Sequence, residues 1–140
     1  MSELLRVENL KKYFPTRQGM LQAVDDITFS VNAGETLGIV GESGCGKSTL
    51  GRVILHLHER TDGRIIFNGE DISDVSRARL KELRKDMQII FQDPYSSLDP
   101  RKTVASIIGE PLTIYRLTKS RNEYYEKVLK MMDVVGLPER

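Results

Sequence analysis

Cysteine is almost missing from this chain: Cys45 stands alone among 140 residues. An internal disulfide is therefore excluded, and the composition suits a reducing compartment. Excess charge is lacking as well. The 21 basic residues face 20 acidic ones, leaving a net charge of +1, so nothing in the balance asks for nucleic acid or an anionic membrane as partner. No apolar run reaches the length of a membrane span, and Met1-Ser2-Glu3 opens no signal peptide. There is no direct membrane insertion to expect, and any membrane role must run through a partner. Internal repeats and low-complexity tracts are absent too. What remains is a chain long enough for one domain with its own core.

The most informative stretch is Thr36-Leu37-Gly38-Ile39-Val40 followed by Gly41-Glu42-Ser43-Gly44-Cys45-Gly46-Lys47-Ser48-Thr49. The first five residues form a short apolar run without polar alternation, which predicts a buried strand of a parallel sheet. The run breaks into a glycine-rich turn. Behind it, Leu50, Val53, Ile54 and Leu57 recur at i, i+3, i+4 and i+7 and predict an amphipathic helix.

From Gly41 to Ser48 the turn fits G-x-x-x-x-G-K-[ST] in the required strand–loop–helix context. Gly41, Gly44 and Gly46 let backbone wrap closely around a phosphate. Successive N–H groups then form a concave anion nest at the positive end of the following helix. Lys47 is expected on the β- and γ-phosphates, the Ser48 hydroxyl in the Mg²⁺ shell, and the Thr49 hydroxyl on a phosphate oxygen. An ordinary glycine-rich turn is the bland alternative, and the correct flanks argue against it.

Elsewhere the pattern is mixed. Leu4 to Phe14 starts like a strand, Thr16 to Met20 reads as a loop, and Ile27, Phe29 and Val31 alternate in a second strand. This opening suits an antiparallel hairpin beside a nucleotide-binding core. Arg64 to Phe67 is a further strand, closed by Asn68-Gly69, a strong turn dipeptide. Ser76 to Lys85 has helical character, and its alternating charges suit a solvated face. Met87 to Phe91 is another short apolar strand, stopped at Pro94. Helices follow: Val104, Ile107 and Ile108 share a face that Pro111 should interrupt. Ser120 to Glu123 is a capping box opening a stripe of Tyr125, Val128, Leu129 and Met132, which Gly136 and Pro138 close. The natural boundary lies at Asp93, giving an α/β part over 1–93 and a helical part over 94–140.

Together these residues resemble the ATP-binding subunit of an ABC transporter, in the oligopeptide/dipeptide importer branch. Gly41 to Thr49 is similar to the family's Walker A. Ile89-Ile90-Phe91-Gln92-Asp93-Pro94 with Ser97-Leu98-Asp99-Pro100-Arg101 is similar to its Q-loop. The resemblance implies an α/β P-loop NTPase core with an antiparallel β subdomain, covering the first half of the family's domain and ending within the helical subdomain. It implies ATP and Mg²⁺ as ligands, with Gly41, Glu42, Ser43, Gly44, Cys45, Gly46, Lys47, Ser48 and Thr49 around the phosphates. Tyr13 stands where the family keeps an adenine-stacking aromatic. Gln92 is placed to ligate Mg²⁺ or orient a water, so Lys47 and Gln92 are the catalytic candidates and Ser48 and Gln92 the metal ligands. Each has a plainer alternative: a half-buried strand tyrosine at 13, a strand-end glutamine at 92.

Asp93 resembles a Walker B acid only loosely and reads better as a turn aspartate. Cys45, His56 and His58 have no ligand-spaced partners, and the C-terminal tyrosines and methionines suit packing. The implied partners are membrane permease subunits and a second ABC ATPase subunit, which would put the chain peripherally on the cytoplasmic side of the cell membrane. The family's signature, Walker B with its glutamate, and switch histidine are not in this sequence. The expectation is therefore a chain that binds ATP–Mg²⁺ and does not turn over alone. Two alternatives remain at this point: another P-loop enzyme such as a small kinase, with Arg77, Arg79 and Arg84 as lid arginines, and a non-enzymatic interaction module.

Overall fold

The computed structural model describes residues 2–93 and 95–138. They fall into two units, Met1–Ile89 and Ile90–Arg140. The expected stop at Pro94 lies outside the described residues.

The first unit is built on an antiparallel sheet of order β2-β1-β3-β4. Two long strands, β1 (Glu3–Thr16) and β2 (Gly19–Asn32), make a hairpin. Their pairing runs to Thr16 opposite Gly19, so only Arg17 and Gln18 form the loop expected over 16–20. The Thr16 hydroxyl donates to the Gly19 carbonyl at 2.7 Å, which ties the two strand ends together.

Midway the hairpin is bulged. Asn9 and Asp26 sit at φ 47° and 54°, a left-handed region that Asn and Asp tolerate better than most residues. The Asn9 Nδ2 donates to Asp26 Oδ1 at 2.9 Å, and the Asn9 N–H to Thr28 Oγ1 at 2.8 Å. The register shifts between Val7 and Leu10. Both residues are fully buried although three positions apart. One extra residue thus transfers the inward face from the odd to the even positions.

Next to β1, β3 (Asp62–Phe67) pairs antiparallel, with Val7 opposite Ile65. It turns through Asn68 and Gly69, both at positive φ, into β4 (Glu70–Asp71), as the dipeptide predicts. Across the sheet lies α1 (Lys47–Ile54), with Leu50 and Val53 buried in one cluster with Val7, Leu10, Val24, Ile65 and Ile72. The helix ends at Ile54, so Leu57 lies beyond it and is exposed. The short α2 (Arg77–Leu83) starts on a Ser76 cap, whose hydroxyl accepts from the Arg79 N–H, and buries Leu83.

Two expected strands are not formed. Thr36–Val40 and Met87–Phe91 have no strand pairing, and Val40 and Ile90 are 96% and 93% exposed. A strand exists only where a neighbour takes up its N–H and C=O groups. Among the described residues none does so for these runs.

The second unit is a helix pair, α3 (Val104–Ile114) and α4 (Arg121–Val134). Contrary to expectation, α3 continues through Pro111. Proline deletes one helical donor, but its carbonyl still accepts from the Tyr115 N–H at 3.0 Å. The helices approach closely at Gly109, where a Cβ would lie 1.9 Å from the Tyr124 hydroxyl oxygen. Ser120 caps α4 through the Glu123 N–H, while Glu123 accepts from the Lys119 N–H at 2.7 Å. At the far end, Leu137 N–H bonds to Met132 O and Gly136 N–H to Asp133 O, with Gly136 at φ 70°. That is a Schellman closure, as Gly136 led us to expect. Of the expected α4 stripe, Val128 and Met132 are buried, and Tyr125 and Leu129 are partly exposed.

Candidate functional site

The glycine turn lies entirely in the first unit and runs into α1. Gly44 and Gly46 are at φ 81° and 95°, a region that costs other residues strain. Gly46 has a second reason to lack a side chain. A Cβ there would sit 2.0 Å from the Ala23 carbonyl oxygen of β2, so the turn is pressed against the sheet. Gly46 also caps α1 with no side-chain acceptor. The first-turn N–H groups, including those of Lys47, Ser48 and Thr49, therefore lack helical partners and carry the positive end of the helix dipole.

Lys47 folds back over the loop. Its Nζ donates to the Gly41 and Glu42 carbonyls at 2.7 and 2.6 Å and lies 3.5 Å from Cys45 Sγ. These carbonyls hold the ammonium in the middle of its own turn. Phosphate oxygens are stronger acceptors for such a cation. Cys45 is a free, exposed thiol. Ser48 is exposed at the mouth of the turn.

A cavity of about 320 Å³ opens beside the turn, lined by Phe14, Leu21, Gln22, Ala23 and the residues from Gly44 to Thr49. Phe14 is the aromatic on this wall, and Tyr13 does not line it. The Tyr13 hydroxyl instead donates to Asp25 Oδ1, and that hydrogen bond to a carboxylate holds its pKa above the ordinary tyrosine value. Phe14 makes an edge contact with His58 at 5.7 Å and lies under Lys12 Nζ at 4.7 Å. The sequence reading put Tyr13 at the site by family resemblance; the bulge at Asn9 shifts the register of β1 before Phe14. Asn9 opposite Asp26 was the available signal, since these residues favour left-handed turns.

Gln92 belongs to the second unit, exposed in a bend. Next to it, Asp93 Oδ1 accepts from the Tyr95 and Ser96 N–H groups at 3.1 and 3.3 Å. This is the turn aspartate rather than a metal-holding acid. Among the described residues, no group of three or more His, Cys, Asp or Glu could hold a metal ion. No helix is long and apolar enough to cross a membrane.

With this geometry established, the comparisons decide the family. The model described as "ABC transporter" matches residues 24–140. The chain belongs to the ABC transporter family. The oligopeptide transport ATP-binding protein OppF of Bacillus subtilis (strain 168) is 52% identical over 136 residues, covering 96% of this chain and 45% of that protein. The glutathione import ATP-binding protein GsiA of Escherichia coli O157:H7 is 47% identical, over 96% of this chain and 22% of its own length. The chain thus spans less than half of these relatives. Among solved structures, the dimeric ABC transporter cassette MJ0796 superposes with a TM-score of 0.83 at 26% identity, over 98% of this chain and 59% of the cassette. The same cassette in a post-hydrolysis state bound to ADP and Pi gives the same score. Family membership removes the small-kinase alternative. Of its candidate lid arginines, Arg79 is tied to Glu70 at 2.5 Å.

Proposed function

We propose that this chain is the nucleotide-binding portion of a peptide-importer ATPase and that it takes up ATP with Mg²⁺ at the Gly41–Thr49 turn. The observation that carries this reading is the Lys47 ammonium, held by two carbonyls of its own turn beside an open cavity. Gly46 has no room for a side chain against Ala23, which fixes the turn on β2. Backbone N–H groups at the start of α1 receive the phosphates, and Lys47 exchanges its carbonyls for β- and γ-phosphate oxygens. Ser48 offers its exposed hydroxyl to Mg²⁺. The base packs on Phe14, not Tyr13.

Gln92 is proposed as the residue that meets Mg²⁺ or orients the attacking water, with Lys47 stabilising charge on the transferred phosphoryl group. Bound Mg²⁺ would supply further charge neutralisation on the phosphates. Similarity to oligopeptide and glutathione import ATP-binding proteins supports peptides as the transported class. Similarity to a dimeric cassette supports a second ATPase subunit as partner. Membrane permease subunits and a peripheral position on the cytoplasmic face follow from the same reading.

Calorimetric titration with Mg–ATP tests the proposal. One site per chain is expected, weakened at least about 100-fold by Lys47→Ala through loss of a charge-assisted contact. Uptake indifferent to that substitution overturns the reading.

A further inference from the structure

A larger cavity in the first unit shares no lining residue with the one beside the glycine turn. It measures about 660 Å³ and lies between the end of α1 and the approach to α2. Its apolar wall includes Val53, Ile65 and Leu80. The rest is polar and carries three guanidinium groups, Arg60, Arg77 and Arg84, two imidazoles, His56 and His58, and the carboxylates of Glu59 and Asp74.

These groups are unequally engaged. Arg60 is fully committed: it forks onto Asp74 at 2.6 and 2.9 Å and donates to the Gly63 and Ser73 carbonyls at 2.8 and 3.0 Å. That cancels Asp74 and makes a rigid side of the cavity. Arg84 has a single long contact, 3.4 Å to the His56 carbonyl. Among the described residues, Arg77 makes no hydrogen bond or ion pair. Nearby is the one buried side-chain polar atom without a hydrogen-bond partner among the described residues, His56 Nε2. With no surface open to solvent, that nitrogen belongs to the wall of the cavity and is not a donor to a ligand inside it. His56 is moreover held at φ 53°. Burial first, then Arg60 and Arg84, lower its pKa, while Asp74 acts the other way.

We propose that this cavity is a second anion site, which takes the phosphate group of a small organic phosphate against Arg77 and Arg84, with the His56 ring in its wall as the reporter. Two guanidinium forks are the donor geometry that suits phosphate oxygens. The volume falls within the ~300–1,000 Å³ typical of small-molecule sites, which leaves room for an organic substituent along Val53 and Leu80. Glu59 opposes the anion and limits affinity.

The test is an NMR titration of the full 140-residue chain, labelled on histidine, with phenyl phosphate. The His56 ring signals should move saturably with a Kd of roughly millimolar order, as expected of a few charge-assisted contacts near the surface. Arg77→Ala should weaken this about fivefold or more. Arg77→Lys, which keeps the charge and loses the fork, should rescue it only in part. Glu59→Gln should tighten binding, and Lys47→Ala should leave the His56 titration unchanged, separating it from the glycine-turn site. Arg77 is exposed, so its substitution leaves the core intact. Static His56 signals, or equal shifts with sodium chloride at matched ionic strength, overturn the proposal. Equal shifts with benzoate overturn phosphate as the class, and an unchanged titration in Arg77→Ala overturns the site.

Discussion

Ile65-Ile66-Phe67 and Ile89-Ile90-Phe91 are the same tripeptide in two places. In β3 the two isoleucines are 0% and 7% exposed. In the second copy they are 37% and 93% exposed, with no strand pairing. Composition cannot explain the difference, because there is none. β3 lies between β1 and β4, with Ile66 opposite Arg6 on one side and Asp71 on the other. The second run finds no neighbour among the described residues. Apolar β-branched residues therefore favour a strand only where another backbone accepts its hydrogen bonds. Thr36–Val40 repeats the lesson, with an exposed apolar run leading into the glycine turn.

Substitutions at matched positions break or sharpen this contrast. The largest effect is expected at Gly63. A Cβ there would meet the Asn9 carbonyl oxygen at 2.5 Å and Leu10 Cα at 2.6 Å, at φ 92°. Gly63→Ala should cost about 3 kcal/mol or more in urea denaturation. Gly38, in the unpaired run, has nothing within 4 Å of its virtual Cβ. Gly38→Ala should fall within about 0.5 kcal/mol of the parent. Equal losses at the two glycines would show that the unpaired run is packed in solution.

Ile66→Ala should remove about 2–3 kcal/mol, as for burial of a large aliphatic group, whereas Ile90→Ala should be near neutral. Next in size is the aromatic wall. Phe14→Ala should weaken ATP binding by about 1–3 kcal/mol, the range for stacking of a base on an aromatic. Tyr13→Ala should leave binding within about twofold, because that side chain is engaged with Asp25. The reverse result would restore Tyr13 to the site.

The smallest expected effect is a pH dependence at the β4 edge. Asp71 is pulled down to about 2, first by hydrogen bonds from Ser73 and then by Arg64 at 3.0 Å. A folded-state pKa below the unfolded one stabilises at neutral pH, and the gain is lost as pH falls from about 4 toward 2. The carboxylate is 42% exposed, so screening keeps the contribution small. Urea denaturation from pH 6 to 2 should show a shallower decline for Asp71→Asn than for the parent.

Local order was well marked in the sequence where the signal is short-range. Asn68-Gly69 makes its turn, Ser120 caps α4, and Gly136 closes it, because each depends on a few successive dihedral angles. Pro111 was misleading, since one lost donor does not end a helix that continues on both sides. Phe14 rather than Tyr13 on the cavity wall was not legible, because Tyr13 was placed by resemblance and the bulge at Asn9 depends on the partner strand.

By itself the sequence determined the glycine turn, its lysine and its family, since these rest on residue types at fixed spacing along one stretch of backbone. Which apolar runs become strands, which aromatic faces the cavity, and where His56 loses its partner were decided only by tertiary structure. Each of those depends on groups brought together from distant parts of the chain, and no local pattern encodes a missing neighbour.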